Sequence, residues 1–211
     1  MADIPAIRFR AATAQDAAAA VPLIHSSGPA AFDYVFAVPG RSTALAFLHR
    51  AFVDGAGEFG WRNHVVGEAE GVVVAAGAGF GGETALAFTL AAARQIFAHY
   101  GLHHAPGVIA RGLKVERVIP PPSRGVHYLA HLGVSPMLRG QGIGRALIDE
   151  LIRRGVQGGR NRMVLDVAAS NPRAQALYER LGFEVTGERA SGLANAQGVV
   201  PAHRRMERVV G

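Results

Sequence analysis

The stretch Leu129 to Arg145, LAHLGVSPMLRGQGIGR, constrains this chain more than any other, because a short apolar strand runs into a glycine-dense turn that opens directly into a helix. Val134 ends the strand, Ser135-Pro136 breaks it, and Arg139-Gly140-Gln141-Gly142-Ile143-Gly144 makes the turn. Ala146, Leu147, Ile148, Leu151 and Ile152 then recur at helical spacing. A helix start carries unpaired N–H donors and a partial positive charge, so it attracts phosphate. Glycines at 140, 142 and 144 let the backbone approach an anion without a Cβ in the way, and Arg139 and Arg145 add full charges. The pattern predicts a pyrophosphate cradle at a helix N-terminus.

What is missing narrows the ligand. No Lys-Ser or Lys-Thr follows the glycines, which argues against a magnesium-nucleotide loop. A dinucleotide fingerprint needs GxGxxG, whereas here Arg145 stands where the third glycine belongs, and SPMLR separates the turn from its strand. R-x-x-G-x-G after a strand ending L-G-V-S-P instead resembles the acyl-CoA site of the GNAT acetyltransferases. Downstream, Leu165-Asp166-Val167 is a second apolar run, and SNPRAQALYERLGFEV is similar to the second half of the GNAT core. The resemblance runs from Leu132 to Val185, about a quarter of the chain, and is greatest to the branch that includes the ribosomal-protein N-acetyltransferases.

That resemblance implies an α/β chain with the GNAT fold: one mixed central sheet, helices on both faces, and two strands that splay to form the acyl-CoA cleft. It implies acetyl-CoA as co-substrate. Leu132, Gly133 and Val134 would hold the pantetheine arm, and Arg139, Gly140, Gln141, Gly142, Ile143, Gly144 and Arg145 the pyrophosphate. Asn171 matches the asparagine that braces CoA, although before Pro172 it could equally serve as a helix cap. Tyr178 occupies the general-acid position and also borders the CoA site; its competing role is a packed core tyrosine. Asp166 stands where that branch carries a catalytic glutamate, one methylene longer, and could instead pair with Arg160 or Arg162. Other family members place the base on the preceding strand, where this chain has Ala130 and His131, so His131 is the second base candidate.

The chemistry needs such groups. A thioester gives its acyl group only to a neutral amine, and free amines titrate near 8 for an α-amine and about 10.4 for lysine, so a base or water chain is required. The departing thiolate gains from a proton donor, and a phenol is protonated at neutral pH.

Composition sets bounds. The 211 residues suffice for a substantial core in one domain, read as an acceptor-side half (1–124), an acetyl-CoA-binding core (125–190) and a C-terminal strand (191–211). Cysteine is absent, so there is no disulfide framework, thiolate metal site or cysteine nucleophile. MADIPAIRFR is too polar for a signal peptide. Gly71 to Ala93 carries only one charge, Glu83, but Gly79, Gly81 and Gly82 divide it into a buried strand and a helix rather than a membrane span. The chain is expected in the cytoplasm, without membrane contact. A net charge of +6 comes from scattered arginines with no basic block, which argues against a nucleic-acid partner.

The remaining elements follow the expected order. Ala6 to Arg10 reads as strand, and Thr13 with Asp16 starts a helix to about Ile24. A short helical piece spans Ala30 to Phe36, and a helix capped by Ser42 closes at Gly55. Asn63 to Glu68 and Gly71 to Phe80 pair as a hairpin, a helix runs from Glu83 to Tyr100, and Leu102 to Arg124 is expected to be irregular. His127 to Val134, Met163 to Val167, Phe183 to Arg189 and Arg204 to Val210 supply the later strands. Pro29 to Arg41 and Leu102 to Arg124 are expected to wall the acceptor side, with Asp33 and Tyr34 as candidate acceptor contacts. His99, His103 and His104 lack acidic partners, so no metal is expected. The reading is an N-acetyltransferase acting by direct attack in a ternary complex on an amine of a small molecule or peptide. The competing reading is a GNAT-fold acyl-CoA-binding or regulatory module without turnover. The oligomeric state is left open, a homodimer among the options. With no acidic cluster along the chain, a compact single-amine acceptor is preferred over a polycation.

Overall fold

The computed structural model describes residues 6–211; the start of the MADIPAIRFR segment, residues 1–5, lies outside the described residues. A seven-stranded mixed sheet forms the centre. Its strands are β1 (Arg8–Ala11), β2 (His64–Ala69), β3 (Val72–Gly81), β4 (His127–Val134), β5 (Arg162–Ala168), β6 (Glu184–Arg189) and β9 (His203–Val209), in the order β1-β2-β3-β4-β5-β9-β6. A small separate hairpin, β7 (Ala194–Asn195) and β8 (Gly198–Val199), precedes the last strand. Every neighbouring pair in the large sheet is antiparallel except β4 with β5.

Helices cover both faces. On one lie α1 (Ala17–Ser26), α2 (Pro29–Phe36), α3 (Ala44–Asp54) and α4 (Ala85–Val115), around a core that includes Ile24, Phe47, Phe52 and Tyr100. On the other lie α5 (Ile143–Gln157) and α6 (Pro172–Arg180), around Leu147, Leu151, Met163 and Phe183. Alternation along the strands assigns the faces: Val66 and Ala76 point to the first core, Val65 and Ala75 to the second. Helix α1 lies so close on β4 that a Cβ at Gly133 would stand 2.1 Å from the Leu23 carbonyl oxygen.

Local rules account for most boundaries. Asp16 Oδ2 accepts from the Thr13 N–H at 2.7 Å, as the capping pattern predicts. Thr43 rather than Ser42 caps α3, accepting from Ala46 N–H at 3.2 Å, and Gly55 closes it in the left-handed region. The substantial correction is Leu102 to Arg124. Helix resumes after a sharp break at Gly101 (φ 71°, ψ 176°) and continues to Val115, leaving only the remainder irregular. Gly107, Gly112 and Pro106 make this a poor helix by propensity. Tertiary contacts stabilise it, among them two bonds from the Arg111 guanidinium to the Val35 carbonyl at 3.0 and 2.8 Å. Among the described residues, no helix is long and apolar enough to cross a membrane.

Candidate active site

The parallel partners β4 and β5 pair only at His127 with Met163 and Tyr128 with Val164. Beyond that point they diverge, and a cleft of about 850 Å³ opens between them. Three residues beyond the last pair β4 is distorted: His131 has φ 57°, and the β3–β4 register slips between Ala76 and Ala78. Such a conformation costs a non-glycine residue about 1–3 kcal/mol and persists where the surroundings over-determine it. Past the distortion, Leu132, Gly133 and Val134 line the cleft, and Gly133 and Val134 pair with Ala76 and Ala75 of β3.

At one end stands the glycine turn. Gly140 and Gly142 have φ 86° and 83°, and a Cβ on Gly142 would project into open space. Gly142 is the N-cap of α5, no side chain caps the helix, and its first backbone bond runs from Ala146 N–H to Gly142 at 3.0 Å. The preceding amides are therefore available to an anion, in a wall that also holds Arg139, Arg145, Arg173 and Arg180. Among the residues assigned to the pyrophosphate, Gln141 and Ile143 do not line the cleft. Ile143 is buried beneath the helix, so only its backbone can take part. The Asn171 side-chain oxygen caps α6 by accepting from Ala174 N–H at 3.1 Å. The cap uses only the oxygen, and Asn171 also lines the cleft, so cap and ligand contact are compatible. These features fit a diphosphate-bearing thioester.

Tyr178 lies on the wall of the same cleft, nine-tenths buried. Burial alone pushes its phenol up to about 12, with no hydrogen bond or neighbouring charge contributing. It is a protonated donor without a partner among the described residues.

The other end is built around His131. Its Nδ1 lies 3.1 Å from Nε2 of His64, and its Nε2 lies 3.3 Å from Oε1 of Glu58. His64 is fully enclosed, and its Nδ1 is 2.9 Å from the Gly60 carbonyl, which can only accept, so that nitrogen carries the proton. Desolvation first, and His131 second, hold the His64 imidazole down at about 3. A neutral His64 with its proton on Nδ1 must accept at Nε2, so His131 donates from Nδ1. When neutral, His131 then keeps its lone pair on Nε2, toward Glu58 and the cleft. Phe59 and Phe32 enclose the ring, at centroid distances of 5.1 and 5.8 Å.

Asp166, the other base candidate, lines the cleft but is already engaged. The Arg205 guanidinium donates to both of its oxygens at 2.7 and 3.2 Å, and Tyr128 O–H donates at 2.8 Å. Its side chain is 2% exposed. Neither Arg160 nor Arg162 is the partner; they pair with Glu83 and Glu207, while Arg205 faces Asp166 across the β5–β9 register. Burial, then the Asp166 charge, lift the Tyr128 phenol far above its ordinary range.

Both segments expected to wall the acceptor side reach the cleft, but Asp33 and Tyr34 do not line it. Ala31, Phe32, Val35 and Phe36 of α2 line the cleft, as do Ile109, Gly112, Val115 and Glu116 of α4 and Ile119 after it. Asp33 and Tyr34 do not. Helical periodicity turns them away: Asp33 meets His25 at 3.0 Å, and Tyr34 is buried, its carbonyl accepting from Asn195 at 3.1 Å. His99 bonds Ser42 at 2.7 Å, and among the described residues no group of side chains could hold a metal ion. Sequence reading missed Glu58, His64, Glu116 and Arg205. Only Glu58 had a local signal, its position in a turn dense in glycine (Gly55, Gly57, Gly60).

Comparison with known proteins agrees with this geometry. The profile of the Acetyltransferase (GNAT) family matches residues 51–183. The [ribosomal protein bS18]-alanine N-acetyltransferase of Escherichia coli K12 is 49% identical over 59 residues, 26% of this chain and 37% of that protein. The mycothiol acetyltransferase of Corynebacterium efficiens is 43% identical over 54 residues, 26% of this chain and 18% of that one. The match thus spans well under half the length of these curated relatives. An N-acetyltransferase from Staphylococcus aureus Mu50 superposes with a TM-score of 0.65 at 16% identity, covering 95% of this chain and 100% of that one. The structure of yncA from Salmonella typhimurium with its cofactor acetyl-CoA does so with a TM-score of 0.55 at 18% identity, covering 98% and 95%. With more than half its length matched by the family profile and its sheet opening between β4 and β5, the chain belongs to the GNAT acetyltransferases.

Proposed function

We propose that the protein transfers an acetyl group from acetyl-CoA to a primary amine by direct attack, with both substrates bound in the β4–β5 cleft. The observation that carries this reading is the layout of that cleft. An uncapped glycine turn stands at one end, a histidine–carboxylate pair at the other, and an unpartnered buried phenol on the same wall. Residues 1–211 are read as one such domain. The cytoplasm suits a cysteine-free chain whose co-substrate is a charged thioester.

Acetyl-CoA, when bound, supplies the activated acyl group. The amides from Gly140 to Arg145, with Arg139, Arg145 and Arg173, hold its phosphates, and Leu132 to Val134 and Asn171 orient the rest. His131 Nε2 takes the proton from the acceptor amine. His64 fixes the tautomer that leaves Nε2 without a proton, and Glu58, beside that same nitrogen, pairs with the imidazolium once Nε2 has taken one. Asp166 is not assigned the base role: protonating it would leave the Arg205 cation buried without a counter-charge. Tyr178, protonated throughout the physiological range, donates a hydrogen bond to the leaving sulfur. Removing that donor in Tyr178→Phe keeps the ring, and is expected to lower kcat by about 10²–10⁴-fold with CoA affinity nearly unchanged. A variant turning over at the native rate would show the tyrosine to be structural.

A further inference from the structure

A second hollow, of about 790 Å³, lies on the other side of α2 from the cleft and shares no lining residue with it. Helical periodicity makes α2 the partition: Asp33 and Ala37 face the hollow, whereas Phe32, Val35 and Phe36 face the cleft. The rest of the wall comes from the turn at residues 38–43, from α3, from His99 of α4 and from Gln197 in the β7–β8 hairpin. These parts are held in place by the fold itself. Val38 and Ser42 exchange backbone hydrogen bonds at 2.9 and 3.0 Å, with Gly40 at φ 70° between them. The Ser42 hydroxyl lies 2.7 Å from His99 Nε2, and the Tyr100 O–H donates to the Phe36 carbonyl at 2.5 Å, so the turn and the end of α2 are both tied to α4. Preformed concavities of this size are where small molecules bind.

Its charge is one-sided. The Arg41 guanidinium donates to the His99 carbonyl at 3.5 Å. Arg50 follows Thr43 and Ala46 along one face of α3, one turn beyond Phe47, whose ring packs edge-on to His99 at 5.6 Å. Two cations from separate elements thus flank one histidine, and neither forms an ion pair among the described residues. Burial, then the charges of Arg50 and Arg41, hold the His99 imidazole below its ordinary range. Asp33, the carboxylate on this wall, is engaged by His25 Nε2 at 3.0 Å. A concavity lined by charge of one sign focuses its field and draws in counter-ions.

We propose that this hollow is a second ligand site, separate from acyl transfer, which takes a small molecule bearing an oxyanion, phosphate or carboxylate, between Arg41 and Arg50. The guanidinium fork matches both anions. Titration calorimetry with inorganic phosphate and with succinate, at ionic strength held constant by chloride, reads the site without any turnover. A saturable site is expected with a Kd at or below about 1 mM, and the tighter of the two probes identifies the preferred anion. Arg41→Gln and Arg50→Gln should each weaken that binding about tenfold or more, as the loss of one charge-assisted hydrogen bond requires. Both side chains are exposed, so the variants should keep the native Tm. Arg173→Gln, on the glycine-turn side of the cleft, should leave the affinity unchanged. No saturable binding of either anion overturns the proposal. So does binding that survives in Arg41→Gln and Arg50→Gln but is lost in Arg173→Gln, which would put the anion in the cleft. The acetyltransferase reading stands or falls independently, on thiol release.

Discussion

Gly142 and Gly159 form a matched pair that separates the anion cradle from ordinary glycine effects. Both sit in the left-handed region, at φ 83° and 76°, and a Cβ on either meets nothing within 4 Å. They flank the two ends of α5, but only Gly142 lines the cleft. Valine at either position therefore incurs the same backbone strain, about 1–2 kcal/mol. For a chain of this size that lowers Tm by about 2–8 °C. The consequences for CoA diverge. A side chain at 142 projects into the open space beside the uncapped amides and denies them to phosphate. Hydrogen bonds to a charged group contribute about 1.5–3 kcal/mol each, so losing two weakens binding by about a hundredfold or more. Titration calorimetry with CoA and thermal unfolding of the two variants measure both quantities. Gly142→Val should lose Tm and affinity, Gly159→Val only Tm. Equal CoA affinity in the two variants would refute the cradle.

Other outcomes follow from the buried groups. Asp166→Ala leaves Arg205 without its counter-charge and Tyr128 without its acceptor, and should destabilise the fold by about 3–5 kcal/mol in chemical denaturation; a loss below about 1 kcal/mol would mean water replaces the carboxylate. His64 titrates at about 3 in the fold against an ordinary value of 6.5, so the unfolded chain binds the extra proton between those pH values. Stability is therefore full above the ordinary value and falls with acid, by up to about 1.4 kcal/mol per pH unit from this residue. His64→Leu should remove about one proton from that slope, read from denaturation midpoints between about pH 4 and 7; an unchanged slope would show His64 to be solvated. In activity, the same substitution frees the His131 tautomer, and kcat should fall more than CoA affinity.

The part of the cleft proposed for CoA is legible in the sequence because it is local. The turn from Arg139 to Gly144, the α5 stripe and the LYERLGF helix are each specified by neighbours within a few residues, and each forms as expected. The part proposed for the acceptor is assembled by register and packing. His64 reaches His131 because β2 and β4 flank β3, and Arg205 reaches Asp166 because β9 inserts between β5 and β6. No local pattern encodes either pairing. The second half of α4 is not legible in the sequence, because Gly101, Pro106, Gly107 and Gly112 are helix-weakening residues, whereas Arg111 and the buried Ala105 and Val108 fix it from outside. Asp33 and Tyr34 lie on α2 but off the face that lines the cleft, because without a known partner for α2 its periodicity does not say which side meets the cleft.

The central claim is that this cleft moves an acetyl group between the two ligands it is built to hold. A single assay tests it: purified protein with acetyl-CoA and a panel of primary amines, followed simultaneously for free thiol and for acetylated amine by mass spectrometry. The account predicts that both appear in equal amounts, depend on the amine, and are lost in His131→Gln while CoA still binds. CoA bound tightly with neither thiol nor acetylated amine formed from any amine would contradict it, and would leave a binding module in an acetyltransferase fold.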